Sequence, residues 1–317
     1  MKKSALLFAL FTGTLSMQGQ PEIVSGTPTV SYDYPYPIQK IQLDNETEMA
    51  YMEVGQGEKT LLLIHGLGSY SPAWKKNIES WSRHYRCIAV DLPGYGYSSK
   101  GAYPYSMTYF SETLKRFIRK MKLKNITLVG HSMGGQIAMT MVLDQPRLAD
   151  KLILIAPAGF ETFSHQEKLW LEQVYTPALI KSATLDQIKN NFNLNFAQNK
   201  LPEDAEFMYL DRLKLKQNSF AFDQYAAMIP QCVNGMLKEP VFDRLSEIKV
   251  PTLILFGAND FLIPNKYLHP SLTTEAVAKS GQEKIAGSRL EILTGGGHFV
   301  QWDRADAVNK LVAEFVQ

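Results

Sequence analysis

The stretch Val129-Gly130-His131-Ser132-Met133-Gly134-Gly135 ends an apolar run and opens a helix-like pattern. Residues 130 to 134 fit G-x-S-x-G, the turn that holds a serine between a strand and a helix. The residue types follow from the turn. A reversal within one residue strains the backbone at the serine and leaves no room for side chains two positions to either side. Glycine therefore belongs at 130 and 134, and Gly135 lets the helix approach the sheet. The turn also aims Ser132 at a helix N-terminus, where backbone N–H groups can receive a developing oxyanion.

A serine hydroxyl attacks only once a neighbouring base takes its proton. The six histidines are His65, His84, His131, His165, His269 and His298. His131 adjoins the serine, but the turn sends its side chain elsewhere. His65 ends a strand, and His84, His165 and His269 lie in polar contexts. His298 follows the last strand pattern in Thr294-Gly-Gly-Gly-His298-Phe299, a glycine turn leading to the final helix. In a doubly wound sheet the loops beyond the strand C-termini converge, which brings His298 within reach of Ser132. The histidine needs a carboxylate to fix its tautomer and stabilise the imidazolium. Asp260, directly after the strand pattern Thr252–Phe256, is the candidate; the turn after Leu152–Ile155 reads Ala-Pro-Ala-Gly and offers no acid. In His65-Gly66-Leu67-Gly68 the Leu67 N–H is expected to join that of Met133 in an oxyanion hole. Asp91, in Asp91-Leu-Pro-Gly-Tyr-Gly-Tyr-Ser98, reads as an anchor of a structured turn on the same rim.

These residues must be held by alternating elements. Strand patterns are expected at Ile38–Leu43, Glu48–Val54, Leu61–His65, Cys87–Val90, Ile126–Val129, Leu152–Ile155, Thr252–Phe256 and Leu290–Leu293. Helix patterns fall at Thr108–Met121, Gly135–Leu143 and Ala305–Val316. Short, continuously apolar runs separated by helices indicate parallel strands covered on both faces. Between about residues 158 and 240 the strand signals vanish and aromatic-rich amphipathic segments replace them, with Thr184 and Gln187 spaced as a capping box. That segment is expected to be a helical insertion, and Phe160, Trp170 and Phe222 from it, with Phe299, are the candidates for the substrate pocket. The remaining aromatic residues of the insertion are expected mostly to form its own core.

Composition excludes several alternatives. Thirty-three Lys and Arg against 31 Asp and Glu leave a formal charge of +2, with no electrostatic footprint for nucleic acid. No zinc-like Cys/His spacing or phosphate-binding glycine loop is present. Lys2 and Lys3 before the apolar stretch from Ala5 to about Met17 have the layout of a secretory signal, too short to span a bilayer. Residues 1–20 are accordingly expected to be removed, placing the protein in the periplasm or outside the cell. Cys87 and Cys232 read as two separate buried thiols.

Taken together, HGLG at Leu67, DLPGYGYS at Asp91, GHSMGG at Ser132, FGAND at Asp260 and GGGH at His298 resemble the α/β-hydrolase fold superfamily, in its chain order, from about Ile38 to Val316. The resemblance implies an α/β fold: a mostly parallel eight-stranded sheet with helices on both faces and a helical cap inserted after the sixth strand. The expected organisation is a core from 21 to 157, a cap from 158 to 240 and a second core part from 241 to 317. Within the superfamily the chain is similar to capped serine hydrolases: carboxylesterases, carbon–carbon bond hydrolases of ring-cleavage products and perhydrolases. Haloalkane dehalogenases and epoxide hydrolases use aspartate where this chain has Ser132, which counts against both. The expected activity is that of a carboxylesterase working through an acyl-enzyme on a small to medium apolar ester, with no cofactor or metal. The alternatives are carbon–carbon cleavage of a ketoacid and a hydrolase-fold binding protein. The expected partner is a small-molecule substrate, the expected state monomer or homodimer, and no membrane span is expected after signal removal.

Overall fold

The computed structural model describes residues 30–317; the expected export signal lies outside them. Eight strands form one sheet: β1 (Ile38–Gln42), β2 (Glu48–Val54), β3 (Thr60–Ile64), β4 (Arg86–Val90), β5 (Ile126–His131), β6 (Lys151–Ile155), β7 (Thr252–Gly257) and β8 (Arg289–Leu293). Their order is β1-β2-β4-β3-β5-β6-β7-β8. The pairs β1–β2 and β2–β4 are antiparallel and all others are parallel. Every residue of β3 and β5 is buried, as expected of strands covered on both faces.

The helices are α1 (Lys75–Trp81), α2 (Met107–Lys120), α3 (Met133–Asp144), α4 (His165–Val174), α5 (Pro177–Ser182), α6 (Leu185–Asn193), α7 (Glu206–Gln217), α8 (Ser219–Lys238), α9 (Thr274–Lys284), α10 (Val300–Asp303) and α11 (Ala305–Val316). One face of the sheet packs in a cluster that includes Phe110 and Phe117 of α2, Ile137 of α3 and Val277 of α9. The other packs in a cluster with Ile78 and Trp81 of α1 and Val308 and Val312 of α11. Helix α1 was not expected from the sequence. Its large apolar side chains, Ile78 and Trp81, fall at helical spacing with Trp74 just before it, but only over two turns.

Helices α4 to α8 all fall between β6 and β7, where the sequence loses its strand signals. The capping box at Thr184 and Gln187 starts α6, and a second one, Ser164 with Glu167, starts α4. The long segment between β7 and β8 carries the connection between these two strands. Its helix, α9, is the crossover that the parallel pair β7–β8 requires. Gly281 of α9 admits the Phe160 ring, because a Cβ there would lie 2.2 Å from it.

Cys87 and Cys232 are free and fully buried. Burial pushes both thiols up to about 12, so neither ionises at neutral pH.

Candidate active site

Strand β5 runs directly into α3 through Ser132, whose φ of 53° and ψ of −119° lie outside the regions open to most side chains. The flanking glycines make that turn possible. A Cβ on Gly130 would stand 2.3 Å from the Gly134 carbonyl oxygen, and one on Gly134 would stand 2.2 Å from that of Ile64. Those contacts are with backbone that cannot move aside. Ser132 is half-buried, whereas His131 points into the core. Met133 is the first residue of α3, so its N–H has no acceptor within the helix. Gly66, in the loop after β3, approaches so closely that a Cβ on it would be 3.0 Å from the Ser132 Cβ. The loop carrying Leu67 therefore borders the serine.

His298 sits after β8, and its Nδ1 lies 2.8 Å from Asp260 Oδ2; both side chains are almost wholly buried. The other carboxylate oxygen of Asp260 accepts the N–H groups of Leu262 and Ile263, at 2.7 and 2.9 Å. An ionised carboxylate offers only acceptors, so Nδ1 is the protonated nitrogen of His298 and Nε2 is the basic one.

Two further histidines, His65 and His131, brace this arrangement. His131 Nε2 donates to the His298 carbonyl oxygen, 3.0 Å away, with the two rings 4.9 Å apart. His65 Nε2 accepts the Leu92 N–H at 3.1 Å, which leaves Nδ1 to donate to the Gly66 carbonyl at 2.8 Å. Burial holds the pKa of His65 below the ordinary histidine range. Burial, and then the adjacent His298, hold that of His131 well below it. The unfolded chain binds these protons below about pH 6.5 and the folded chain refuses them. Stability present above that pH is therefore lost as the pH falls, by up to about 1.4 kcal/mol per pH unit for each histidine. Burial raises the carboxyls of Glu161 and Asp303, which opposes this at lower pH. Denaturant melts at pH 7.5, 6.5 and 5.5 should show a decline that flattens in His131→Gln; equal slopes in the two proteins would contradict it.

The glycine turn before His298 is tightly packed. A Cβ on Gly257 would lie 2.2 Å from the Gly297 carbonyl, and one on Gly297 would lie 2.5 Å from the Ala197 nitrogen. Asp303, which the sequence did not mark, accepts from the N–H groups of Gly297 and Ala197 at 2.8 and 2.9 Å. Phe299 N donates to the Asn195 carbonyl at 2.8 Å. The helical insertion is thus tied directly to the His298 loop. It also reaches the Asp260 loop, where Glu161 accepts from Asn265 N and contacts His269 Nδ1 at 2.5 Å.

The four pocket candidates separate. Phe299 lies edge-on to His131 at 4.7 Å, and Phe222 stacks with Tyr225 at 6.0 Å. Phe160 is 2% exposed in the main core against Phe256, a packing position. Trp170 is 43% exposed on α4. The sequence also gave no sign of Arg212. From α7 its guanidinium stacks on Tyr225 at 4.2 Å and donates to the Gly68 carbonyl at 2.5 Å, beside the Leu67 loop. In Asp-Arg-Leu-Lys-Leu-Lys nothing distinguishes it from the solvated cations around it.

Asp91, expected as an anchor, is completely buried and accepts from Ser71 N, Tyr97 N and the Tyr34 hydroxyl. Among the described residues no helix is long and apolar enough to cross a membrane.

The sequence model of the alpha/beta hydrolase fold matches residues 59–305, and the chain belongs to this family of hydrolases. It is 28% identical over 274 residues to the 2-hydroxy-6-oxononadienedioate/2-hydroxy-6-oxononatrienedioate hydrolase of Escherichia coli O81, an alignment covering 84% of this chain and 90% of that one. Among solved structures it is similar to a probable hydrolytic enzyme of Pseudomonas aeruginosa PAO1, with a TM-score of 0.80, 23% identity, and 90% and 96% of the two chains covered. It is also similar to an esterase of Exiguobacterium antarcticum, with a TM-score of 0.70, 25% identity, and 87% and 98% covered.

Proposed function

We propose that this protein is a serine hydrolase in which Ser132 is the nucleophile, His298 the general base and Asp260 the group that orients His298. The observation that carries the reading is the 2.8 Å contact of His298 Nδ1 with Asp260, which leaves Nε2 basic on the loop that His131 ties to the serine turn. His298 takes the Ser132 proton as the oxygen attacks an acyl carbonyl. The oxyanion rests on the N–H groups of Leu67 and Met133. The leaving alcohol collects the proton from His298 and departs, giving an acyl-enzyme. Water, deprotonated by the same histidine, then releases the acid and restores Ser132. The helical insertion acts as a cap over these loops, and Phe222 and Phe299 supply apolar wall to the pocket. The substrate in this reading is a carboxylic ester of small to medium size.

Arg212 favours a second reading of the substrate. A guanidinium stacked on Tyr225 beside the candidate oxyanion loop suits a substrate that carries its own carboxylate. The E. coli relative is named for hydrolysis of dioic acids, and it is the alternative of carbon–carbon bond cleavage in a ketoacid that this arginine supports. Aryl esters of matched length, one ending in a methyl group and one in a carboxylate, test the point together with a dienoic ketoacid. Arg212→Gln should lower kcat/KM for the acid-bearing ester about 10- to 100-fold and spare the neutral one, the magnitude of a hydrogen bond to a charged group. Equal loss on both esters would set the acidic substrate aside, and ketoacid turnover above that of either ester would favour carbon–carbon cleavage.

A further inference from the structure

The segment before β1, residues 30–36, crosses from the core to the helical insertion and meets α7 one residue from Arg212. Its Asp33 N–H donates to Asp211 Oδ2 at 3.0 Å. The Tyr70 hydroxyl, from the core loop after Leu67, donates to the same oxygen at 2.7 Å. Lys214 takes the other oxygen at 2.6 Å, and Asp211 is 3% exposed. On either side of Asp33 the segment is fastened to the core. Tyr34 donates to Asp91 at 2.5 Å, while the Tyr97 hydroxyl accepts the Tyr32 N–H at 2.9 Å and donates to the Tyr32 carbonyl at 3.3 Å. The rings of Tyr32, Tyr34, Tyr70 and Tyr97 pack on one another, with centroids 4.9 to 6.5 Å apart.

A buried carboxylate is costly unless its oxygens are satisfied, and here the donors come from the segment, the core loop and α7 itself. Asp211 can therefore stay buried only while segment, core and insertion are held together. We propose that residues 30–36 are a strap that fixes α7 against the core, and that Asp211 and Tyr70 are positioning residues that hold Arg212 over the Gly66–Gly68 loop. The strap's effect on substrate choice rests on the reading of Arg212 as a carboxylate contact; its effect on α7 does not. Tightening or releasing it would alter which esters are accepted while leaving the Ser132, His298 and Asp260 geometry in place.

The test uses Tyr70→Phe and Tyr97→Phe, singly and together, in the full chain, because each removes one hydroxyl and keeps its ring. Hydrogen exchange in α7 should speed up at least 10-fold in the double variant, with α3 unchanged. The preference for the acid-bearing ester over the neutral one should fall about 10-fold, and should not fall further when Arg212→Gln is added, as expected of groups acting through one contact. Unchanged exchange in α7, or equal slowing on both esters where Arg212→Gln alone is selective, would overturn the strap. Faster α7 exchange with no selectivity effect of Arg212→Gln alone would keep the strap and overturn the substrate reading instead. If the double variant does not fold, the same outcomes are read from Tyr70→Phe, which removes the Asp211 contact alone.

Discussion

Replacing Ser132 with alanine should lower ester turnover by about 10⁴-fold or more, the scale of removing a nucleophile from a serine triad. The folded state should be affected by no more than about 0.5 kcal/mol. Alanine keeps the Cβ, so the backbone at φ 53° carries the same strain, and no hydrogen bond of the Ser132 side chain holds the turn together. The packing around the turn is made by Gly130 and Gly134, which are untouched. Activity and melting temperature measured on the same preparation check this. Retained turnover would remove Ser132 from the chemistry, while a large loss of stability would mean that activity was lost by unfolding.

Asp260→Asn should be nearly as damaging, costing about 10⁴-fold in kcat, through an effect on the proton rather than on shape. One oxygen of Asp260 accepts two backbone N–H groups and the other faces His298 Nδ1. An amide has only one oxygen. With that oxygen on Leu262 and Ile263, its NH2 faces Nδ1 and drives the histidine proton onto Nε2, where the base is needed. In the opposite orientation the NH2 meets two donors and their bonds are lost. Asp260→Glu reaches too far to reproduce the three contacts and should fail as well. The tautomer change is readable by nitrogen NMR of His298: a proton on Nδ1 in the parent protein and on Nε2 in the Asn variant. A variant with near-normal kcat would show that Asp260 does not govern the base.

Much of this architecture was legible from the residues. The eight strand patterns all became strands, with ends shifted by no more than two residues, and the clearest are the central ones, because fully buried parallel strands must be written almost entirely in apolar side chains. Ser132, Asp260 and His298 stand out as candidates in the sequence because each lies just beyond a strand, and strand C-termini in such a sheet point to one side. The contacts that hold the site were not legible. His65 and His131 look like bystanders until their ring nitrogens are seen to hold the Gly66 and His298 carbonyls. Asp303 joins two segments more than 100 residues apart, and no local pattern records a long-range bond. For Phe160 and Trp170 the signal is only aromatic character in the insertion, a property shared by core and surface alike; the void at Gly281 holds the first and solvent the second. Arg212 carries no signal for the related reason that a cation on an amphipathic helix ordinarily points to water. Here the guanidinium instead lies on the Tyr225 ring and donates to the Gly68 carbonyl.

The central claim is that Ser132 is a nucleophile activated by His298. Treatment with a fluorophosphonate, followed by mass mapping of the labelled peptide, tests it most directly. The account predicts one covalent phosphonyl group per chain, attached at Ser132 and absent from Ser132→Ala. No adduct on the parent protein, or an adduct that persists in Ser132→Ala, would contradict it.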